Sequence, residues 1–414
     1  MQQTFQINTI TTSTEFFSLQ EAWDDLCRRS GANHFFQSFI WCWNVWNLVA
    51  HKRDRKLQLV VARQDDRLVL IWPLMLEGRS LRLLSSDTLE YRDMIVEKNP
   101  LAKFWMTEAW SHVKQIKNVD LFLFQNLRMP SNVDKLFGDW LGQATVSGGW
   151  CPVIRLDSFA DWSDYAKQLP KSLISDQRRQ WLRAKEVLPE LCFKVVDDDD
   201  EIKSTIDWII DNKLKWLTSR NKKAISFSSN EMRSLFQQVA KSANGQNSLV
   251  LAKLANADTI ISAGFGYQFG NDFLFHVFAY DLNWHRLSPS RLFLERLVQG
   301  CFDAGIKTFD FMPGDEPYKK IWATDLIRTD SYMGSLTLLG SISLHWHSLR
   351  SKGAVLKVVD ILRRVYVHLP NGLRLAIQSK ASKLNLTGYG LDPRPKKPIL
   401  AMKMKPPRLV DAGM

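Results

Sequence analysis

The chain has 414 residues, 45% of them hydrophobic and 24% charged, the balance of a folded globular protein and longer than one ordinary core serves. Of its formal charge of +12, nearly all sits in residues 341–414, which hold 14 Lys/Arg against 3 Asp/Glu. The near-neutral body excludes a nucleic-acid argument from overall charge, and no specific DNA binding is expected.

Five scattered cysteines, never in a CxxC pair, argue against a zinc framework and for a reduced compartment. The opening MQQTFQINTI lacks the basic and apolar regions of a secretory leader. The nearest approach to a membrane-spanning run, Phe35–Ala50, is interrupted by Gln37, Asn44 and Asn47. A cytoplasmic protein is expected.

TFQINTI predicts a strand. A helix entered at Thr12–Thr14 is closed by Arg28, Arg29 and Gly31, cations and then glycine being the usual stop chemistry. Phe35–Ala50 reads as a second helix, capped by Ser38. LQLVVAR (57–63) and LVLIWPLML (68–76) read as strands joined by a turn, with Pro73 marking an edge or a bulge. A helix over about 101–117 and a strand over 119–127 complete a first α+β domain, residues 1–150.

The second domain is expected over residues 151–340. It opens with a basic helix (171–188) and a strand (191–197). The run Asp197–Asp200 then favours the N-terminus of a helix ending in KLKWLTSR. That helix places Trp216 and Arg220 at its end, where substrate contact and ordinary packing are both open. After a helix over 230–243 come three strands, 248–254, 259–269 and 272–281. Gly264 and Gly266 lack the spacing and the following helix of a dinucleotide fingerprint, so they mark a bulge or a close approach of a ligand. His276, inside the third strand, is a core histidine or a substrate contact.

The loop LNWHRLSPSR leads into a helix over Pro289–Ala304 and a strand, IKTFDFM. Ser288 is the cap candidate and Pro289 suits the first helical position. A helix start at the end of a sheet offers N–H groups and a positive dipole to an anion such as a pyrophosphate. Arg286, Ser288, Ser290 and Arg291 are the candidate binding residues there.

RLSPSRLFLERLV followed by GIKTFDFMPGDEPYKKIWAT resembles the acetyltransferase family that includes bacterial CelD-like cellulose-biosynthesis proteins. That family is related to the GNAT superfamily and to Fem-type peptidyltransferases. The likeness rests on Asp310-Phe311, Gly314-Asp315-Glu316-Pro317-Tyr318-Lys319 and Trp322. It extends to FFQSFIWCWNVW and LVLIWPLML, covering most of residues 30–330. The family often has Ser-Pro-Gly before the helix, whereas this chain has Ser288-Pro289-Ser290.

The resemblance implies an α+β fold of two GNAT-like domains, tandem mixed sheets flanked by helices, with a basic C-terminal extension. It implies an N-acyltransferase in which an amine attacks an acetyl-CoA or longer acyl-CoA thioester directly, without a metal. Such transfer needs a proton acceptor, donors for the oxyanion and an acid for the thiolate. Asp315 and Glu316 are the base candidates, Tyr318 the acid, and Lys319 a holder of substrate carboxylate or phosphate. Each has a simpler role too: the carboxylates can cap the turn and pair with Lys319 or Lys320, and Tyr318 can pack. The acceptor is expected to be an amino sugar or an envelope or exopolysaccharide precursor. A Fem-type transferase using aminoacyl-tRNA and an inactive scaffold of the same fold are the alternatives.

HExxH, GxSxG and P-loop signatures are absent, and His345 and His347 read as structural. In the tail, residues 341–414, SKGAVLKVVDILRRVYVHLPNGLRLAIQSK sets apolar residues against Lys and Arg at helical spacing. It can dock on the body or lie on an anionic membrane at the inner face. The Pro- and Lys-rich end is expected to be mobile.

Overall fold

The computed structural model describes residues 4–31, 34–88, 90–138, 148–221, 229–242, 247–257, 259–314, 316–342 and 344. Asp315, His345, His347 and the amphipathic stretch at 351–380 lie outside the described residues.

In the first half the order is β1 (Phe5–Ile10), α1 (Ser13–Phe17), α2 (Gln20–Ser30), α3 (Phe39–Val45), β2 (Arg55–Leu57), β3 (Leu59–Gln64), β4 (Arg67–Trp72), β5 (Leu74–Glu77), β6 (Ser80–Leu83), β7 (Ile95–Val96), α4 (Ala102–Val113), β8 (Leu121–Arg128) and α5 (Asn132–Phe137). The second half continues with β9 (Gly149–Arg155), α6 (Trp162–Ala166), α7 (Lys171–Val187), β10 (Cys192–Val196), α8 (Asp199–Ser219), α9 (Asn230–Ser242), β11 (Asn247–Ala255), β12 (Ile260–Phe269) and β13 (Asp272–Tyr280). It closes with α10 (Pro289–Asp303), β14 (Thr308–Asp310), α11 (Pro317–Trp322) and β15 (Asp325–Ser335).

Two mixed or antiparallel sheets result, of order β1-β3-β4-β7 and β10-β11-β12-β13-β14-β9-β15-β8-β6-β5-β2. The larger sheet takes strands from both halves of the chain. Pro73 is neither edge nor bulge: it is where the chain changes sheet, β4 lying in the smaller and β5 in the larger. The partner strand crosses at the same level, between β2 and β3, where Gln58 N donates to Leu74 O at 3.0 Å. A proline lacks an N–H, so the break in the ladder falls where no donor is lost.

The helix expected from Thr12 to Arg29 is two helices. Thr12 caps the first, accepting from Glu15 N at 3.3 Å, and Gly31 ends the second at φ +63°. The helix expected over Phe35–Ala50 begins as a tight turn at Phe35–Gln37. The α-helical part starts after Ser38, whose hydroxyl accepts from Trp41 N at 3.3 Å. Asp198 caps α8 through Asp200 N and Glu201 N, the helix-start role expected of the aspartate run.

The aromatic entry to α3 packs on the second half: Phe35 stacks on Tyr267 with ring centroids 4.6 Å apart. One core therefore joins α2, α3, α8, α9 and a face of β11–β13, including Trp23, Phe35, Ile206, Phe236 and Phe265. A second core lies under α4 in the first half, and a third under α7 and α10 in the second.

Candidate active site

β13 and β14 run parallel, but they pair over only three residues, Asp272–Leu274 against Thr308–Asp310. β14 then ends, while β13 continues to Tyr280. Their pairing stops there, and the second half of β13 and the residues 311–314 follow on either side. Within β13, Phe275 pairs with Gly266 and Val277 with Phe265, which leaves His276 as a bulged residue with no partner across the ladder. A bulge re-aims main-chain groups that a regular ladder would consume. Gly264 and Gly266 make the close approach of these strands feasible. A Cβ on Gly264 would meet Val277 O at 2.8 Å, and one on Gly266 would meet Leu274 O at 2.6 Å. Of the two roles open to these glycines, the bulge is the one that the structure gives them.

The turn after β14 is held from below by Asp310, which is fully buried. Its carboxylate accepts from Tyr91 Oη at 2.9 Å, Arg128 Nε at 3.1 Å and Met312 N at 2.7 Å. Arg128 also lies 3.6 Å from Asp272 at the start of β13. Met312 adopts φ +58°, a conformation that costs an unbranched L-residue energy and persists because Asp310 anchors its N–H.

Above the turn, the Lys319 ammonium is buried and donates to Met312 O at 3.3 Å and Pro313 O at 3.4 Å, with the Glu316 carboxylate 3.0 Å away. Gly314, at φ +154°, has a backbone conformation that favours glycine, and a Cβ there would push the Glu316 carboxylate and the Lys319 ammonium aside. Lys319, expected to hold a substrate anion, is thus engaged with the turn's own carbonyls and with Glu316. Burial works to raise the Glu316 carboxyl, but the charge and hydrogen bond of Lys319, aided by Lys213, hold it below the ordinary glutamate range. Glu316 is therefore ionised at neutral pH. Tyr318 is 40% exposed and packs against Phe311, with ring centroids 6.2 Å apart. Burial and the charge of Glu316 push its phenol up, so it keeps its proton at neutral pH.

His276 bonds to Tyr267 Oη at 3.2 Å among the rings of Phe36, Phe236 and Phe265. Burial, then the charge of Lys213, pulls it down to about 3, which makes it a neutral imidazole. Lys213 was not singled out from the sequence, yet its charge reaches both His276 and Glu316. It sits one helical turn before Trp216, with its ammonium 5.2 Å from the indole centroid. The Arg220 guanidinium lies 4.7 Å from the same ring.

At the start of α10 the side chains differ from expectation. Ser288 occupies the cap position, but at φ +52° and ψ +49°, and its hydroxyl makes no capping bond. Its N–H instead closes the turn Leu282–Leu287 by donating to His285 O at 3.1 Å. A left-handed residue aims its side chain away from the first helical turn. Pro289 takes the first position as predicted, and its carbonyl accepts from Ser262 Oγ at 3.3 Å, tying the helix start to β12. Arg291 pairs with Asp176 of α7 at 2.8 Å. Arg286 is exposed and Ser290 half-buried.

Residues 172–320 match the family model described as an acetyltransferase (GNAT) domain. The second half carries a GNAT domain. The match spans β13, the bulge, α10 and the strained turn, and it ends just after Lys319. No curated protein matches the chain by sequence. Among solved structures, FemX is similar at 10% identity and a TM-score of 0.52, over 78% of this chain and 96% of FemX. The C-terminal domain of a protein described as a lysylphosphatidylglycerol synthetase, from Agrobacterium fabrum, is similar at 12% identity and a TM-score of 0.50, over 82% of this chain and 97% of that one. A tandem GNAT protein from the clavulanic acid biosynthesis pathway overlaps 81% of this chain and 99% of its own at 9% identity, with a TM-score of 0.46. The fold is α+β, GNAT-like mixed sheets flanked by helices, and the GNAT domain makes the chain a transferase of the acetyltransferase type.

Sequence reasoning missed Tyr91, Arg128 and Lys213. Tyr91 and Arg128 lie 219 and 182 residues from Asp310, beyond the reach of any local pattern.

Proposed function

We propose that the protein is an acyl-CoA-dependent N-acyltransferase acting on an amine of a small polar acceptor. An amino sugar or an envelope or exopolysaccharide precursor is the acceptor class, in keeping with the CelD-like pattern at Asp310–Trp322. The observation that carries the reading is a coincidence of place. The GNAT match falls on the stretch where β13 and β14 part, β13 bulges and α10 begins.

The helix start fits a pyrophosphate in part. Its first turn follows β13 after the turn Leu282–Leu287, with Arg286 in that turn and Ser290 in the first turn of the helix. Arg291 must share Asp176 with the ligand or leave it. The thioester supplies an activated acyl carbon, which the amine attacks as the carbon–sulfur bond breaks. Glu316, ionised and 56% exposed, is the base that takes the amine proton, with Asp315 beside it in sequence. A main-chain N–H freed by the bulge at His276 donates to the developing oxyanion. Tyr318, protonated, gives its proton to the departing thiolate. Lys319 positions Glu316 rather than the substrate.

Glu316→Gln should lower kcat by about 10²-fold or more, and Tyr318→Phe by a smaller factor, read by thiol release from acetyl-CoA with an amine acceptor. Unchanged kcat in both variants would remove these residues from the chemistry.

A Fem-type transfer from aminoacyl-tRNA is the second reading, favoured by the overlap with FemX at a TM-score of 0.52. A gel shift dependent on aminoacyl-tRNA, with no response to acyl-CoA, would select it. The basic stretch at 351–380 belongs to the proposal as a peripheral contact with anionic membrane. Co-sedimentation with phosphatidylglycerol vesicles, lost when residues 351–414 are removed, tests it.

A further inference from the structure

The first half of the chain contains a second pair of parting parallel strands. β6 and β8 pair over Ser80–Arg82 against Leu121–Leu123, after which β6 ends and β8 runs on to Arg128. β8, β15, β9 and β14 alternate in direction, so β8 and β14 are antiparallel. This opening therefore faces the opposite way along the sheet from the one between β13 and β14.

Where β6 and β8 part lies a cavity of about 310 Å³. Met75, Leu83 and Leu123 line part of it, and the polar wall comes from Arg82, Ser85, Asp87, Thr88, Arg92, Gln125 and Asn126. The wall is held in place before any ligand arrives. Arg92 N donates to Asn126 O at 3.1 Å, which ties the segment after β6 across the opening to β8. Asp93, the next residue, accepts from Asn132 N and Val133 N at the start of α5.

The charges around it are unevenly matched. Asp87 is bound by Arg53 and Arg55, Glu77 by Arg55 and Arg82, and Glu90 by Ser86 and Thr88 with Arg92 3.5 Å away. Four guanidinium groups thus face three carboxylates. Arg82 and Arg92 each keep a buried Nε–H with no acceptor among the described residues. A guanidinium has five donors in a fixed fork, and leaving one buried and unbonded is costly. Arg92 is 11% exposed and Arg82 33%.

We propose that this cavity is a second ligand site. It takes a small hydroxyl-bearing molecule with one oxyanion, a phosphate monoester or a carboxylate, of about the size of a hexose phosphate. The arginines supply the surplus positive charge, and Gln125 and Asn126 supply donors and acceptors for hydroxyls, while Ser85 and Thr88 hold Arg92 and Glu90 in place. The volume is at the lower end of small-molecule sites, which suits a ligand of that size.

The test is calorimetric titration of glucose 6-phosphate, gluconate and glucose into the full chain, its Arg82→Gln variant and its Leu123→Trp variant, which fills the cavity. The phosphate and carboxylate arms tell the two oxyanions apart. Saturable binding of at least one acid but not of glucose is expected, at least tenfold weaker in Arg82→Gln and lost in Leu123→Trp. Arg82 is partly exposed, so its variant folds and remains the decisive one. Binding that ignores both substitutions would place the anion elsewhere, such as at the basic tail, and overturn the proposal. No binding of either acid, or equal binding of glucose, would overturn it too.

Discussion

His276 shows how environment decides what a side chain can do. In a strand bordering the candidate site, a histidine invites a role as base, but its ring packs among Phe36, Phe236, Phe265 and Tyr267, and the charge of Lys213 also disfavours its protonation. It stays neutral in the fold down to about 3, whereas the unfolded chain takes up a proton near the ordinary value of 6.5. The unfolded state thus binds more protons between these values. Stability that His276 leaves intact above pH 6.5 is lost progressively as pH falls toward 3. His34, pulled down to about 3 mainly by burial, acts in the same sense. Urea denaturation of wild type and His276→Gln at pH 7 and pH 4.5 checks this: the loss on acidification should be smaller in the variant. An equal loss would exclude His276 as a contributor. Histidine in a strand was legible in the sequence, but not its aromatic surroundings, because Phe36 and Phe236 come from distant segments.

At the scale of the element, two serines before helices contrast. Both Ser38 and Ser288 read as caps. Ser38 is extended at φ −67° and ψ +151° and bonds to Trp41 N, whereas Ser288 is left-handed and caps nothing. The difference comes from what precedes each. Ser288 must also terminate the turn Leu282–Leu287, and that geometry overrides the local preference. Ser38→Ala should therefore cost about 1 kcal/mol, and Ser288→Ala a few tenths at most. Ser288→Gly should be neutral or stabilising, because glycine relieves the positive φ. Chemical denaturation of the three variants reads these differences, and equal costs for the two alanine changes would contradict the assignment. Helix starts and strands were readable from local chemistry. Pro73 was readable as an interruption, but its role in moving the chain between sheets depends on the pairing of Gln58 with Leu74.

Across the whole molecule, the two halves meet in one sheet, in a shared hydrophobic core and at a buried charge cluster. Asp310, from the second half, is bound by Tyr91 and Arg128 from the first, and it carries the turn that presents Glu316 and Tyr318. Removing the carboxylate would leave Arg128 buried with only the more distant Asp272 opposite. Asp310→Ala should cost roughly 3–5 kcal/mol, seen as a lower denaturation midpoint. A loss below about 1 kcal/mol would show that the cluster adds little to the joining of the halves. The sequence carried the motif Asp310–Trp322 and the strand–helix–strand order around it. It did not carry the cluster, since Tyr91 and Arg128 are 219 and 182 residues away from Asp310.

The central claim, that the opening between β13 and β14 receives an acyl-CoA with its pyrophosphate at the start of α10, is tested most directly by calorimetric titration of acetyl-CoA and longer acyl-CoAs. Wild type, Arg291→Ala and Arg286→Ala/Arg291→Ala should be compared. Binding at micromolar concentration in wild type is expected, weakened modestly by the single change, since Arg291 is already paired with Asp176, and further by the double change. No binding of any acyl-CoA, or binding untouched by both substitutions, would contradict it.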